Sequence, residues 1–126
     1  MRGLLVDTNV IVWLLLGDRS RVSETARLAL EDERNRVVVS AATVWEIAVK
    51  RSLGKLTIED GWSRALARLG FDALPVTSIH AEALEHLPWH HRDPFDRLLV
   101  AQARTEGLEL ATADSRLAAY DVGLVW

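Results

Sequence analysis

The chain has 126 residues, 49% of them hydrophobic and 26% charged, a balance near the ordinary globular one that excludes disordered and fibrous classes; the length fits one domain over 1–126, able to bury roughly two thirds of its unfolded surface. It contains no cysteine, which excludes a disulfide framework, a thiolate metal site and a cysteine nucleophile and fits a cytoplasmic setting. The formal charge of −3 provides no global basic field for nucleic acid, although an acidic metal site with a local basic rim is compatible with it.

Residues 4–16, LLVDTNVIVWLLL, are the most apolar run. Asp7 and Asn9 interrupt it, no small-residue cleavage site follows, and it is shorter than the ~20 residues that cross a bilayer, so neither a signal peptide nor a membrane span is expected. It divides into a buried strand over 3–7 and a helix opening near Thr8, with Gly17-Asp18 as its stop. SETARLALEDE predicts a second helix with Ser23 as its start signal, and RVVVS at 36–40 a β-branched strand. SAATVWEIAVKRSLGKL predicts a third helix, with Ser40 as N-cap and Gly54 placed to end it.

A helix follows over 58–69, closed by Gly70, then a strand in DALPV at 72–76 and a short helix from Ser78. PWHHRDP reads as a polar loop, and DPFDRLLVAQARTEG as a helix closed by Gly107. LELATA at 108–113 is a strand, Asp114 opens a short helix, and GLVW is a last edge strand. Strands alternating with helices predict an α/β, doubly wound (Rossmann-like) domain, with a mainly parallel central sheet of four to five strands flanked by helices.

In such a fold the ligand crevice lies at the carboxyl ends of the strands. Asp7 ends the first strand and Asp114 follows the strand at 108–113; helix capping is the competing reading for both. Thr8 is placed to cap the first helix, which leaves Asp7 free. In RDPFD, Asp93 before Pro94 is an N-cap with proline at the first helical position. Asp96 then lies three residues in, where an acid either returns to the cap or favours the positive helix end. Because this crossover helix begins at the same sheet edge, Asp7, Asp96 and Asp114 converge on one rim.

Glu46 is flanked by apolar residues within its helix, and Lys50 at i+4 is an available partner on a solvated face. It lies six residues beyond Ser40, ~9 Å along the axis, so it reaches the rim only if the helix leans across.

Four segments in order, LLVDTNVIVWLL, SAATVWEIAVKRSLGKL, HRDPFDRLLVAQA and LATAD, make nearly the whole chain resemble the PIN-domain ribonucleases. Within them it is most similar to the VapC-type toxins of type II toxin-antitoxin pairs. The resemblance implies that Asp7, Glu46, Asp96 and Asp114 form one acidic pocket that is both catalytic and metal-binding, with Asp7 and Asp96 as the surest ligands. Thr8, Asn9, Ser40, Thr112 and Ser115 match polar positions that orient the ligands. It also implies a homodimer and neutralisation by a VapB-like antitoxin that lays a helix near the N-terminal half.

Crowded carboxylates without a cation would hold at least one proton, and oxygen ligands point to Mg²⁺ or Mn²⁺. His90 and His91 read as a solvated loop pair. Lys50, Arg51 and Arg97 are candidate phosphate contacts, with ordinary surface charge as the alternative. The expectation is metal-dependent endonucleolytic cleavage of RNA in an exposed single-stranded loop. Two rivals are a non-catalytic interaction module of the same fold and a haloacid-dehalogenase-like phosphatase, which would need a second aspartate where this chain has Asn9. Of the five tryptophans, Trp13 and Trp45 are expected in the core, and Trp62 and Trp89 at a partner or homodimer surface.

Overall fold

The computed structural model describes residues 1–126. In chain order it contains β1 (Gly3–Val6), α1 (Thr8–Leu16), α2 (Glu24–Glu31), β2 (Arg36–Ser40), α3 (Ala41–Ser52), α4 (Trp62–Arg68), β3 (Asp72–Leu74), α5 (Ser78–Glu85), α6 (Pro94–Glu106), β4 (Glu109–Ala111) and β5 (Leu124–Val125). Short 3-10 turns fill Arg19–Arg21 and Ser115–Tyr120. The five strands form one sheet in the order β3-β2-β1-β4-β5, and every pairing is parallel. No helix is long and apolar enough to cross a membrane.

Side chains alternate across a strand, so each strand divides its apolar residues between two layers. Leu4 and Val6 of β1, with Val37 and Val39 of β2, pack with Val10 and Ile11 of α1 and Ala26 and Ala29 of α2. Leu5, Val38 and Leu110 face the other way, against Leu99, Val100 and Ala103 of α6, Leu117 and Tyr120. Each fully buried valine, leucine or isoleucine among them contributes about 1.5–3 kcal/mol relative to exposure. α3 belongs to both layers: Ala42 packs in the second cluster and Ile47 in the first. It therefore crosses over the end of the sheet.

Caps set most boundaries. Ser23 accepts the Ala26 N–H at 3.1 Å and Ser40 the Ala42 N–H at 2.9 Å. Gly17 stops α1 with φ of 71°, a left-handed conformation that glycine adopts without a Cβ penalty. The helix expected over 58–69 begins only at Trp62, because Gly61 holds φ of 83° ahead of it and Ile58 is folded into the molecule, its carbonyl accepting from Arg51. The strand expected over 108–113 spans only Glu109–Ala111, and the Thr112 hydroxyl turns to Asp7.

Two tryptophans differ from expectation. Trp45 is 60% exposed and lies edge-on to Phe95, ring centroids 5.1 Å apart; its position on the outer face of the crossing helix removes it from both core layers. Trp62 instead packs partly buried against the α1 layer. Trp13 is half-buried against Trp126, and Trp89 is 75% exposed over the Arg97 guanidinium.

Candidate active site

The strand order reverses beside β1: β2 and β3 lie on one side, β4 and β5 on the other. Such a switch point opens a crevice at the carboxyl ends of the strands, and here those ends are Asp7 after β1 and Thr112 after β4. The two strands close on each other through the Asp7 N–H, which donates to the Ala111 carbonyl at 2.9 Å. The Thr112 hydroxyl then donates to Asp7 Oδ2 at 2.7 Å and accepts the Asp114 N–H at 3.0 Å. One hydroxyl thus ties two acids of the crevice together.

Asp7 occupies the N-cap position of α1, but its side chain makes no capping bond. The expectation that Thr8 caps instead is corrected: the Thr8 hydroxyl meets that of Thr43 at 3.0 Å, buried between α1 and α3. Asp7 is 4% exposed. Burial raises its carboxyl above the usual range, opposed by the Thr112 hydroxyl and the Thr8 amide, while Glu46 and Asp114 push it up further.

The Thr8–Thr43 contact also accounts for Glu46. Glu46 follows Thr43 by three residues, hence on the same face of α3, and that face is turned inward where the helix crosses the sheet end. Glu46 is buried, with Oε2 receiving Lys50 Nζ at 2.6 Å. Its Oε1 is buried without any hydrogen-bond partner, an expensive state for a carboxylate oxygen unless a ligand completes it.

Asp93 caps α6, accepting the Phe95 and Asp96 N–H groups at 2.9 and 3.1 Å, with Pro94 at the first position. That anchoring points Asp96 back into the crevice. Burial, then the charges of Asp7, Asp93, Glu46 and Asp114, push its carboxyl up to about 7. Asp114 is opposite in kind. Arg116 donates to both its oxygens at 2.9 Å and holds its carboxyl below the ordinary range.

His91 was missed by sequence reasoning. Rather than a solvated loop residue, it is largely buried, with Nε2 lying 3.6 Å from Asp96 Oδ2 and 3.5 Å from Asp114 Oδ2. The available signal was its position two residues before the Asp93 cap, since a loop feeding a helix N-terminus at the rim must itself pass the crevice. Arg116 was missed as well.

Each of the three candidate phosphate contacts is engaged by another group of the chain. Arg97 is buried, and its guanidinium donates to the carbonyls of Pro88, Leu84 and Leu87 and to the Tyr120 hydroxyl; a cation enclosed in this way is turned away from any phosphate at the rim. Arg51 is bound to the Ile58 carbonyl and Asp60, because α3 ends there and the following loop folds back on it. Lys50 is paired with Glu46. Of the expected orienting residues, Thr112 holds Asp7, Thr8 braces α1 on α3 and Ser40 caps α3. Asn9 and Ser115 are exposed.

The arrangement fits a divalent cation. It offers hard oxygen donors, a carboxyl group raised to about 7 by its neighbours and an orphaned buried oxygen on Glu46, all of which a cation would relieve.

The family model of the PIN domain matches residues 4–123. No curated protein sequence matches the chain. Among solved structures, VapBC2 from Rickettsia felis bound to a DNA fragment from its promoter is similar, with a TM-score of 0.71 at 12% identity, covering 97% of this chain and 96% of that one. VapBC-1 from nontypeable Haemophilus influenzae has a TM-score of 0.70 at 17% identity, with coverage of 97% and 96%. A toxin-antitoxin complex from Klebsiella pneumoniae has 0.67 at 23%, with coverage of 98% and 96%.

Proposed function

The chain belongs to the PIN-domain family, and from that membership together with the acidic crevice we propose that it is a divalent-metal-dependent endoribonuclease acting as a VapC-type toxin. The observation that carries the reading is the convergence of carboxylates from separate elements, β1, α3, α6 and the turn after β4, with Asp96 pushed up to about 7. Structural caps need no such crowding, which destabilises the pocket until a cation enters.

Asp7, Glu46, Asp96 and Asp114 are the residues that would hold Mg²⁺ or Mn²⁺. A bound ion of this kind supplies an ionised water and charge neutralisation at a phosphodiester. The chain's own part is to fix the ligands: Thr112 orients Asp7, Lys50 orients Glu46, and Asp93 fixes the helix end that presents Asp96. With Lys50, Arg51, Arg97 and Arg116 each held by an acceptor of the chain itself, an acidic protein has a reduced electrostatic hold on duplex phosphates. This favours RNA presented as a flexible single strand.

The toxin reading, with a VapB-like antitoxin, a homodimer and a cytoplasmic setting, draws its support from the similarity to toxin-antitoxin complexes. The test is cleavage of RNA by the purified protein with Mn²⁺ or Mg²⁺, then with EDTA, beside Asp7→Asn and Asp96→Asn. Metal-dependent cleavage lost in both variants is expected. Cleavage that ignores EDTA or survives both substitutions would overturn the metal-site reading.

A further inference from the structure

His91, Asp96 and Asp114 resemble a ligand triad, their donor atoms all within 4.8 Å of one another. The far side of the imidazole argues against it. His91 Nδ1 accepts the backbone N–H of Asp93 at 3.1 Å, and a ring nitrogen that accepts an amide proton carries none itself. In the neutral ring the proton is therefore on Nε2. A protonated Nε2 has no lone pair for an ion, and histidines that ligate through Nε2 use Nδ1 as a donor.

We propose that His91 is not a ligand but the positioning donor of the pocket, its Nε2–H set between Asp96 of α6 and Asp114 of the turn after β4 to hold both carboxylates at the span of one ion. Nε2 is buried and has no hydrogen-bond partner of its own, lying just beyond bonding distance of each oxygen, within the reach from which catalytic hydrogen bonds tighten. The loop that carries it is fixed from behind. The Tyr120 hydroxyl accepts the His91 N–H at 2.7 Å and donates to its carbonyl at 3.3 Å. The same hydroxyl accepts from Arg97. The buried Arg97 and Tyr120 thus aim the ring.

This role rests on the metal-site reading. It is tested first by long-range ¹H–¹⁵N spectra of histidine-labelled protein, without metal and with Mg²⁺. The expected result is the Nε2–H tautomer in both states; an Nδ1–H tautomer, or loss of the Nε2 proton when Mg²⁺ is added, overturns the proposal. Mn²⁺ binding followed by electron spin resonance gives the second readout: His91→Ala weakens it about 10- to 100-fold, as loss of an orienting partner does. His91→Gln, whose side-chain N–H reaches the same position, restores it. Binding unchanged in His91→Ala, or no better in His91→Gln than in His91→Ala, sinks the positioning role alone. Failure of the unaltered protein to bind Mn²⁺ sinks the metal-site reading and this role with it, whatever tautomer is seen. Unchanged Mn²⁺ binding with a raised KM for RNA would reassign the N–H to the substrate.

Discussion

Asp96 and Asp114 approach the same imidazole at nearly equal distances, yet their carboxyl groups are pushed in opposite directions. Asp96 is walled in by α6, with Asp7, Glu46, Asp93 and Asp114 around it, and is raised to about 7. Asp114 stands at the rim, where Arg116 grips both its oxygens and lowers it. The inner carboxylates are thus left in electrostatic debt that a cation would relieve, while the outer one is already neutralised by the chain. Position relative to the rim thus sets two aspartates of the same intrinsic acidity apart.

The largest test of that contrast is Asp96→Asn against Asp114→Asn. Removing the inner carboxylate should lower RNA cleavage by roughly a thousand-fold if the proposed metal site is right, since metal-assisted charge stabilisation amounts to several kcal/mol. The metal-free Asp96→Asn protein should melt at a higher temperature than the parent at pH 8, because the crowded charge is gone. Asp114→Asn should reduce cleavage less and bring no such gain. Equal melting shifts in the two variants would erase the distinction between inner and outer acids.

Arg97 supports the inner side. Arg97→Ala removes the guanidinium that joins the carbonyls of Leu84, Leu87 and Pro88 to the Tyr120 hydroxyl, and breaking a buried charged network of this kind costs about 3–5 kcal/mol. Arg97→Lys should recover only part, since an ammonium cannot span the same acceptors in one plane. Denaturant midpoints measure both. The damage should extend to Asp96 and His91 but leave the Thr112–Asp7 bond on the opposite wall intact.

The contrast also fixes a pH dependence. Asp96 binds its proton more tightly folded, near 7, than at its ordinary 3.8. The stability it contributes is therefore complete at low pH and is lost as pH rises from about 4 through about 7. Asp7 is raised and carries the same sign. Asp114 is lowered, so its contribution is present above the ordinary value and lost as pH falls through its folded one. Thermal melts without metal should show the inner acids' loss between about pH 5 and 7, and Mg²⁺ should reverse it. A melting temperature that climbs over that interval without metal would contradict the crowding of Asp7 and Asp96.

The parts legible in the sequence were those fixed locally. Ser23, Ser40 and Asp93-Pro94 announced their helix starts, and Asp7 and Asp114 were placed at the rim by the rule that strand ends line the crevice. Glu46 was not placed by spacing, because its position depends on α3 crossing the sheet end, a tertiary event carried by Ala42, Ile47 and the Thr8–Thr43 contact. The cations were the least legible. Arg97 finds its acceptors 9 to 13 residues earlier, at the end of α5 and in the loop beyond it, and nothing in DPFDR distinguishes a guanidinium turned inward from one facing a phosphate.

Arg116 provides the smallest test and bears on the outer acid alone. Its side chain is 74% exposed, so Arg116→Ala should leave the stability of the fold nearly unchanged. Its effect on metal is opposite to that of His91→Ala: the guanidinium occupies both Asp114 oxygens, and removing it frees them. Mn²⁺ affinity should rise by up to about fivefold at low salt, the range of an exposed ion pair, and the gain should shrink as ionic strength screens the pair. Weaker Mn²⁺ binding in Arg116→Ala would mean that the guanidinium holds Asp114 in place for the ion, and the outer acid would then be prepared for metal by its partner in the same sense as Asp7 is by Thr112.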